Sequence, residues 1–112
     1  MQIYKILRRP EWDALRAVGF TLGAPVDLAD GFIHFSTAAQ APETAAKHFA
    51  GVADLVLAVC EAEAMGPELK WEVSRGGALF PHLYRPLALT EVVQVHDLPL
   101  GPAGHIFPEA LQ

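Results

Sequence analysis

The sequence is poor in the features that mark several special classes of protein. It has a single cysteine, Cys60, so no intramolecular disulfide can form, and a reducing, cytoplasmic compartment is the expectation. The longest apolar run in the middle of the chain, residues 55–60, falls far short of the roughly 20 residues that cross a membrane. The first residues lack the long apolar core of a signal peptide. A membrane-bound or secreted protein is therefore not expected.

Basic residues are also scarce. Lys and Arg number 8 against 13 Asp and Glu, which gives a formal charge of −5. Arg8 and Arg9 form the only adjacent basic pair. Because proteins bind nucleic acids largely through clustered positive charge, this distribution argues against general nucleic-acid binding.

What the chain does have is the composition of a globular domain. Hydrophobic residues make up 52% and charged residues 19% of its 112 residues. This length and balance support one domain over residues 1–112, with enough apolar surface for one core.

Hydrophobic patterning predicts short strands mixed with two main helices. Strands are expected at residues 2–7, 32–36, 55–60, 69–74 and 91–97. One helix is expected to start at Pro10 and stop near Gly19, and another to run from a capping box at Thr37–Gln40 to about Phe49. Because strands and helices do not alternate as regular βαβ units, the predicted fold class is α+β.

The connecting segments are expected to be loops and turns. The segment that contains Gly23 and Pro25 is predicted to be a loop, and Asp30–Gly31 a turn. In the run 55–60, the absence of any polar residue is typical of a strand buried on both faces. The C-terminal segment, with three prolines, is expected to form an ordered arm or a short extended segment.

The first candidate site lies on the strand predicted at 32–36. Alternate residues of a strand share a face, so His34 and Ser36 are expected side by side. They could bind a ligand together. Alternatively, His34 is hydrogen-bonded within a core, and Ser36 caps the next helix.

Two later segments supply further candidates. In the strand 69–74, Leu69, Trp71 and Val73 are expected to face the core, which leaves Glu72 on the other face as a general base or a hydroxyl-binding carboxylate. Its alternative is an exposed residue paired with Lys70 or Arg75.

The segment 80–86 is predicted to be a loop stiffened by two prolines. It offers an imidazole, a phenol and a guanidinium from His82, Tyr84 and Arg85. Alternatively, it is a rigid turn that buries Tyr84 and leaves His82 and Arg85 in water.

Familiar catalytic and metal-binding motifs are missing. The sequence has no G-x-S-x-G elbow, no phosphate-binding glycine loop, and no H-x-H or H-x-x-x-H spacing. No metal is therefore expected. Cys60 is interpreted as a packing residue, and His48, His96 and His105 as structural.

Taken together, D-G-F-I-H-x-S at 30–36, K-W-E at 70–72 and F-P-H-L-Y at 80–84 resemble the family catalogued as domain of unknown function 952. That family has no established activity. It is similar in fold to ADP-ribosyltransferases and RNA 2′-phosphotransferases, which implies a small split or curved β-sheet around a cleft for a nicotinamide dinucleotide.

The resemblance also implies roles for the candidate residues. His34 and Ser36 match the ligand-orienting pair on an early strand, Glu72 the carboxylate that stabilises positive charge, and Tyr84 a stacking aromatic. His82 would be a second acid–base group and Arg85 an anion anchor. The implied function is binding of a nucleotide-like or other small anionic ligand, with NAD as one possibility, or transfer chemistry on it. The alternative is a non-catalytic ligand-binding or protein-interaction module. Oligomeric state is not predicted.

Overall fold

Two three-stranded antiparallel sheets form the framework of the protein. The computed structural model describes residues 1–111, apart from the side chains of Arg75 and Ala110. Its strands are β1 (Gln2–Arg8), β2 (Phe20–Thr21), β3 (Ile33–His34), β4 (Leu55–Glu61), β5 (Leu69–Val73), β6 (Leu79–Leu83), β7 (Leu87–Ala88), β8 (Val92–Leu98), β9 (Leu100–Gly101) and β10 (Gly104–His105). Its α-helices are α1 (Arg9–Val18), α2 (Pro25–Asp30) and α3 (Ala41–His48). The predicted α+β class is confirmed.

The two sheets meet at one point and then part. One has the strand order β1–β4–β8 and the other β3–β6–β5. An antiparallel bridge joins Tyr4 of β1 to Ser36, which lies just beyond β3. Their backbones exchange hydrogen bonds of 2.8 and 2.9 Å. Towards the C-terminal end of β1 this pairing stops, so a gap opens between β1 and β3.

The core lies on both faces of β4, as the uninterrupted apolar pattern predicts. All six residues from Leu55 to Cys60 are buried. One face packs with α1 through Trp12 and Leu15, and the other with α3 through Ala41 and Ala45. Burial raises the pKa of the Cys60 thiol to about 12, in keeping with a packing residue.

The helices differ from the prediction in number. The first helix ends at Gly19 as expected, where φ is +94°. The segment predicted to be a loop with Pro25 contains α2, and the predicted Asp30–Gly31 turn is its C-terminus, with φ of +87° at Gly31. Proline in the first turn and a left-handed glycine after the last are the usual signals of a short helix. The prediction of two main helices was therefore incomplete.

The helix predicted from Thr37 begins later, at α3. The capping contacts expected between Thr37 and Gln40 are present, because each backbone N–H donates to the other side chain. They stabilise a turn that precedes the helix.

The predicted loop at 80–86 is wrong for its first half, because β6 is the central strand of the second sheet. Pro81 lies in that strand opposite Phe35, whose N–H donates to the Pro81 carbonyl at 2.9 Å. Proline has no N–H to return, so the ladder loses a bond at this pair. This explains why β3 ends at His34 and is shorter than the strand predicted at 32–36.

The core face predicted for strand 69–74 is also wrong. Trp71 is 38% exposed and Val73 69% exposed. The strand β5 lies at the sheet edge, and only Leu69, at its start, packs against the core. Alternation identifies which residues share a face, but it does not show how far the core extends along a hairpin.

The C-terminal arm packs on its own domain. Phe107 is buried in the core, and the His105 Nε2 atom lies 2.7 Å from the Val52 carbonyl oxygen. Over residues 1–111, none of the helices has the length and apolar character required to cross a membrane.

Candidate functional site

A cleft of about 710 Å³ occupies the place where the two sheets part. Residues of β1 form one wall, and residues of β6, the end of β3 and the segment just after β3 form the other. Helices α2 and α3 contribute to the remaining sides. Three of the predicted site residues line it: His34, Ser36 and His82.

His82 is held by a carboxylate from the neighbouring strand. Its Nδ1 atom lies 2.8 Å from Glu72 Oε1, which also accepts a 2.6 Å hydrogen bond from the Tyr84 hydroxyl. The hydrogen bonds from Tyr84 and His82 lower the pKa of Glu72, while the bond to Glu72 raises the pKa of Tyr84. An ionised carboxylate only accepts hydrogen bonds, so His82 carries a hydrogen on Nδ1 and donates it to Glu72.

The other ring nitrogen of His82 faces the cleft. The imidazole is 5% exposed, and Nε2 has no hydrogen-bond partner among the described residues. Yet over that same part of the chain, no buried side-chain nitrogen or oxygen is left without a partner. The Nε2 atom is therefore accessible, and because His82 lines the cleft, it is accessible from there. In its neutral form His82 presents the Nε2 lone pair to a ligand.

His34 is held between two carboxylates. Its Nδ1 atom lies 2.6 Å from Asp27 Oδ1, and its Nε2 atom 3.0 Å from Asp30 Oδ2. Since Asp27 accepts at Nδ1, that nitrogen carries a hydrogen. The Nε2 atom faces the Asp30 carboxylate, with which it pairs only when the ring is protonated. His34 therefore shapes the cleft wall, while His82 keeps a nitrogen open to the cleft.

Asp27 is the centre of a buried polar network. One carboxylate oxygen accepts from the Lys5 ammonium at 2.8 Å and the Ala24 N–H at 2.7 Å. The other accepts from the backbone N–H of His34 at 3.0 Å as well as from its ring. Burial by itself would raise the pKa of Asp27, but the hydrogen bonds from His34 and the charge of Lys5 outweigh it and lower the pKa to about 2. Burial lowers the pKa of Lys5, and the Asp27 carboxylate partly offsets this.

An aromatic cluster fixes the two imidazoles relative to each other. The Phe32 ring stacks on His82, with centroids 4.1 Å apart, and lies 4.6 Å from His34. The two imidazoles meet edge to face at 5.3 Å. Rings packed in this way have few alternative rotamers, so the position of Nε2 of His82 is well defined.

The rest of the cleft supplies hydroxyl groups and a cation. Ser36 Oγ lies 3.0 Å from Thr44 Oγ1 of α3, and both residues line the cleft. Ser36 therefore contacts the helix side chain instead of capping its N-terminus. Arg8 also lines the cleft, with its guanidinium 5.1 Å from the Phe49 ring centroid and its side chain 46% exposed.

The remaining predicted residues lie elsewhere. Glu72 and Tyr84 do not line the cleft; Glu72 bonds Nδ1 of His82, and Tyr84 bonds Glu72. Arg85 bonds both carboxylate oxygens of Glu91, at 2.8 and 2.7 Å, and the Met65 carbonyl at 2.7 Å. Its guanidinium is thus committed to the protein. Arg8 is the arginine at the cleft; its guanidinium lies 3.7 Å from Glu11 Oε2, and its side chain remains half exposed. The side chain of Arg75 lies outside the described part of the structure.

Sequence reasoning missed Asp27, Lys5 and Arg8 as parts of the site. A lysine at position 5, between Tyr4 and Ile6 in an apolar strand, is the one available signal, because a buried lysine requires a carboxylate partner. Within the described part of the chain, no group of three or more His, Cys, Asp or Glu residues is arranged to hold a metal ion.

Comparison with known proteins assigns the family. The model of the family described as Protein of unknown function (DUF952) matches residues 6–95, which is most of the chain. The chain belongs to the DUF952 family. This confirms the family resemblance carried by the motifs at 30–36, 70–72 and 80–84.

Solved structures of one similar protein agree closely with this fold. The crystal structure of protein CC0527 from Caulobacter crescentus is 57% identical, with a TM-score of 0.95 over 99% of this chain and 98% of that chain. A crystal structure of its double mutant gives the same values. The solution NMR structure of CC0527 is 60% identical, with a TM-score of 0.84 over 93% of this chain and 90% of that chain. No curated protein matches the chain.

Proposed function

We propose that this DUF952 protein binds a nucleotide-like ligand such as NAD in the cleft between its two sheets, as ADP-ribosyltransferase-like proteins do. The observation that carries the proposal is the orientation of His82. Glu72 holds Nδ1, Phe32 stacks on the ring, and Nε2 is accessible from the cleft. An imidazole prepared in this way can accept a hydrogen bond from a ribose hydroxyl or take up its proton.

The shape and composition of the cleft support the same class of ligand. Its volume of about 710 Å³ lies within the usual range for small-molecule and cofactor sites. Apolar groups such as Phe49 and Phe80 form much of its surface, and a few polar groups fix orientation. Such a mixture suits a molecule with a flat ring and a hydroxylated sugar.

The polar groups have distinct roles in this proposal. The Arg8 guanidinium, half exposed at the cleft, is placed to bind a phosphate. The Ser36 hydroxyl, paired with Thr44, can bond a sugar hydroxyl. Glu72 is a positioning residue, because it acts on the ligand only through His82. When bound, NAD would supply an ADP-ribosyl group with nicotinamide as its leaving group.

One observation favours binding without turnover as a second candidate function. The carboxylate expected to stabilise an oxocarbenium-like centre, Glu72, does not line the cleft. It is already bonded by two donors, the Tyr84 hydroxyl and the His82 ring. A protein that binds the nucleotide and leaves its glycosidic bond intact is consistent with this placement.

Calorimetric titration with NAD, ADP-ribose and AMP tests the proposal. We expect saturable binding of at least one of them, weakened about tenfold or more in His82→Gln, because a hydrogen bond in a partly dry site is lost. His96→Gln, on β8 and away from the cleft, is the matched control and should bind as wild type does. Absence of saturable binding to all three compounds, or equal binding by His82→Gln, would refute the proposal. Chromatographic assay for released nicotinamide separates turnover from binding alone.

A further inference from the structure

The cleft contains an unpaired stretch of main chain on β1. Tyr4 uses its N–H and carbonyl to pair with Ser36, on the side of β1 away from β4. In an antiparallel strand every second residue points its backbone groups to the same side. The N–H and carbonyl of Ile6 therefore point to the same side of β1 as those of Tyr4, into the gap where β1 and β3 part.

Neither backbone group of Ile6 has a partner in the part of the chain that the structure describes. If the bridge continued as a ladder, Ile6 would pair with His34 as Tyr4 pairs with Ser36. Instead, the His34 N–H donates to Asp27 Oδ1 at 3.0 Å. Among the described residues no group bonds the Ile6 N–H or its carbonyl on this side.

This arrangement is unusual because Ile6 is not on the outer surface. The residue is 5% exposed and lines the cleft. Most buried backbone groups in proteins are paired, and each exception calls for an explanation. The Ile6 N–H donor and carbonyl acceptor lie side by side and are directed into a cavity of ligand size. We call this pair the recognition edge; an added strand or a planar amide could bond to both groups.

We propose that the Ile6 N–H and carbonyl recognise a ligand edge that offers one acceptor and one donor in a plane. A primary carboxamide and the amino edge of an adenine ring both present this pattern. This inference rests on the proposed function, which supplies the class of ligand. It adds the protein groups that distinguish one ligand of that class from another. NAD carries both edges, so analogues must distinguish them.

Amide-resolved NMR of the wild-type protein is the direct test. Titration with NAD should shift the Ile6 amide resonance and slow its hydrogen exchange about tenfold or more, while the Tyr4 amide, already bonded to Ser36, changes little. Nicotinamide and adenosine are titrated separately as probes of each edge. The one that Ile6 recognises should reproduce the shift.

Ligand analogues then remove one hydrogen bond at a time without altering the protein. The 3-acetylpyridine analogue of NAD lacks the carboxamide donor, and the purine riboside analogue of AMP lacks the adenine amino group. One of these losses should weaken binding about tenfold, since the Ile6 carbonyl is left without its donor.

The outcomes separate this inference from the proposed function. If NAD binds and perturbs His82 while the Ile6 amide is unchanged, the inference is overturned and the proposed function stands. If nucleotides fail to bind but nicotinamide or adenosine shifts Ile6, the recognition edge stands and the proposed function falls. If none of these probes affects the Ile6 amide or the cleft, both are overturned.

Discussion

Replacement of Asp27 by asparagine should be among the most damaging single changes in this protein. The Asp27 side chain is fully buried and accepts four hydrogen bonds, from Lys5, Ala24 and both the ring and backbone of His34. The Asp27→Asn side chain keeps one oxygen but places an amide donor against these donors. It also leaves the Lys5 ammonium, 7% exposed, without its counter-charge.

The expected cost follows from that unpaired charge. Removal of one partner from a buried ion pair typically costs about 3–5 kcal/mol of unfolding free energy. Combination with Lys5→Met should recover part of the loss, because the double variant no longer buries an isolated ammonium. Asp97→Asn is the matched control: this carboxylate pairs with Arg9 at the surface and is 76% exposed, so its loss should cost less than about 1 kcal/mol.

The same carboxylate predicts a pH dependence. Its pKa falls from the usual 3.8 to about 2 in the folded protein, which corresponds to about 2 kcal/mol of stability. Because the folded pKa is lowered, this contribution is complete above the unfolded pKa. It is lost as the pH falls through about 4 towards about 2.

Urea denaturation followed by circular dichroism, repeated across this pH range, measures both effects. The difference between wild type and Asp27→Asn isolates Asp27 from other acids, because Glu72 and Glu91 titrate in both proteins. This difference in unfolding free energy should shrink by about 2 kcal/mol as the pH falls from above about 4 to about 2. A variant within about 1 kcal/mol of wild type, or two parallel pH curves, would contradict the buried network described here.

Three further predictions concern single residues outside the cleft. Arg85→Gln should lower the free energy of unfolding in urea by about 1–2 kcal/mol, because it breaks the paired bonds to Glu91. Nucleotide affinity should be unchanged; weaker binding would show that Arg85 belongs to the binding site. Gly31→Ala should lower stability by about 1 kcal/mol, since φ is +87° with no atom within 4 Å of the added methyl group; an unchanged melting temperature would contradict the strain. The Cys60 thiol has a pKa of about 12 against the usual 9.0, so it should hold about a thousandfold less thiolate at neutral pH than an exposed cysteine. It should react with a disulfide reagent only when the protein unfolds. Fast labelling of the native protein would disprove its burial.

The sequence predicted the elements whose signals are local. The buried strand at 55–60 and the helix from Pro10 to Gly19 are recognisable from apolar runs, proline and glycine. The helix α2 was missed although it has the same two signals, because its six residues are too few to show an apolar stripe. The central position of β6 could not be read from residues 80–86, since prolines normally mark loops or edge strands.

The candidate site was predictable only in part, for a similar reason. Alternation along a strand places His34 beside Ser36, and family motifs point to His82. The difference between His34 and His82 depends on Asp27 and Glu72, which reach them from other elements. Arg8 and Arg85 are equally basic in the sequence, and only their contacts show which one faces the cleft.

The most direct test of the central claim is to determine which ring nitrogen of His82 carries a hydrogen, with and without NAD. Long-range ¹H–¹⁵N NMR at about pH 8, where an ordinary imidazole is neutral, measures this. The structure predicts a hydrogen on Nδ1 that persists throughout, and a free Nε2 whose resonance moves as NAD saturates the cleft. A hydrogen on Nε2 in the free protein, or an Nε2 resonance unmoved at saturating NAD, would contradict the assignment of this cleft as a nucleotide site.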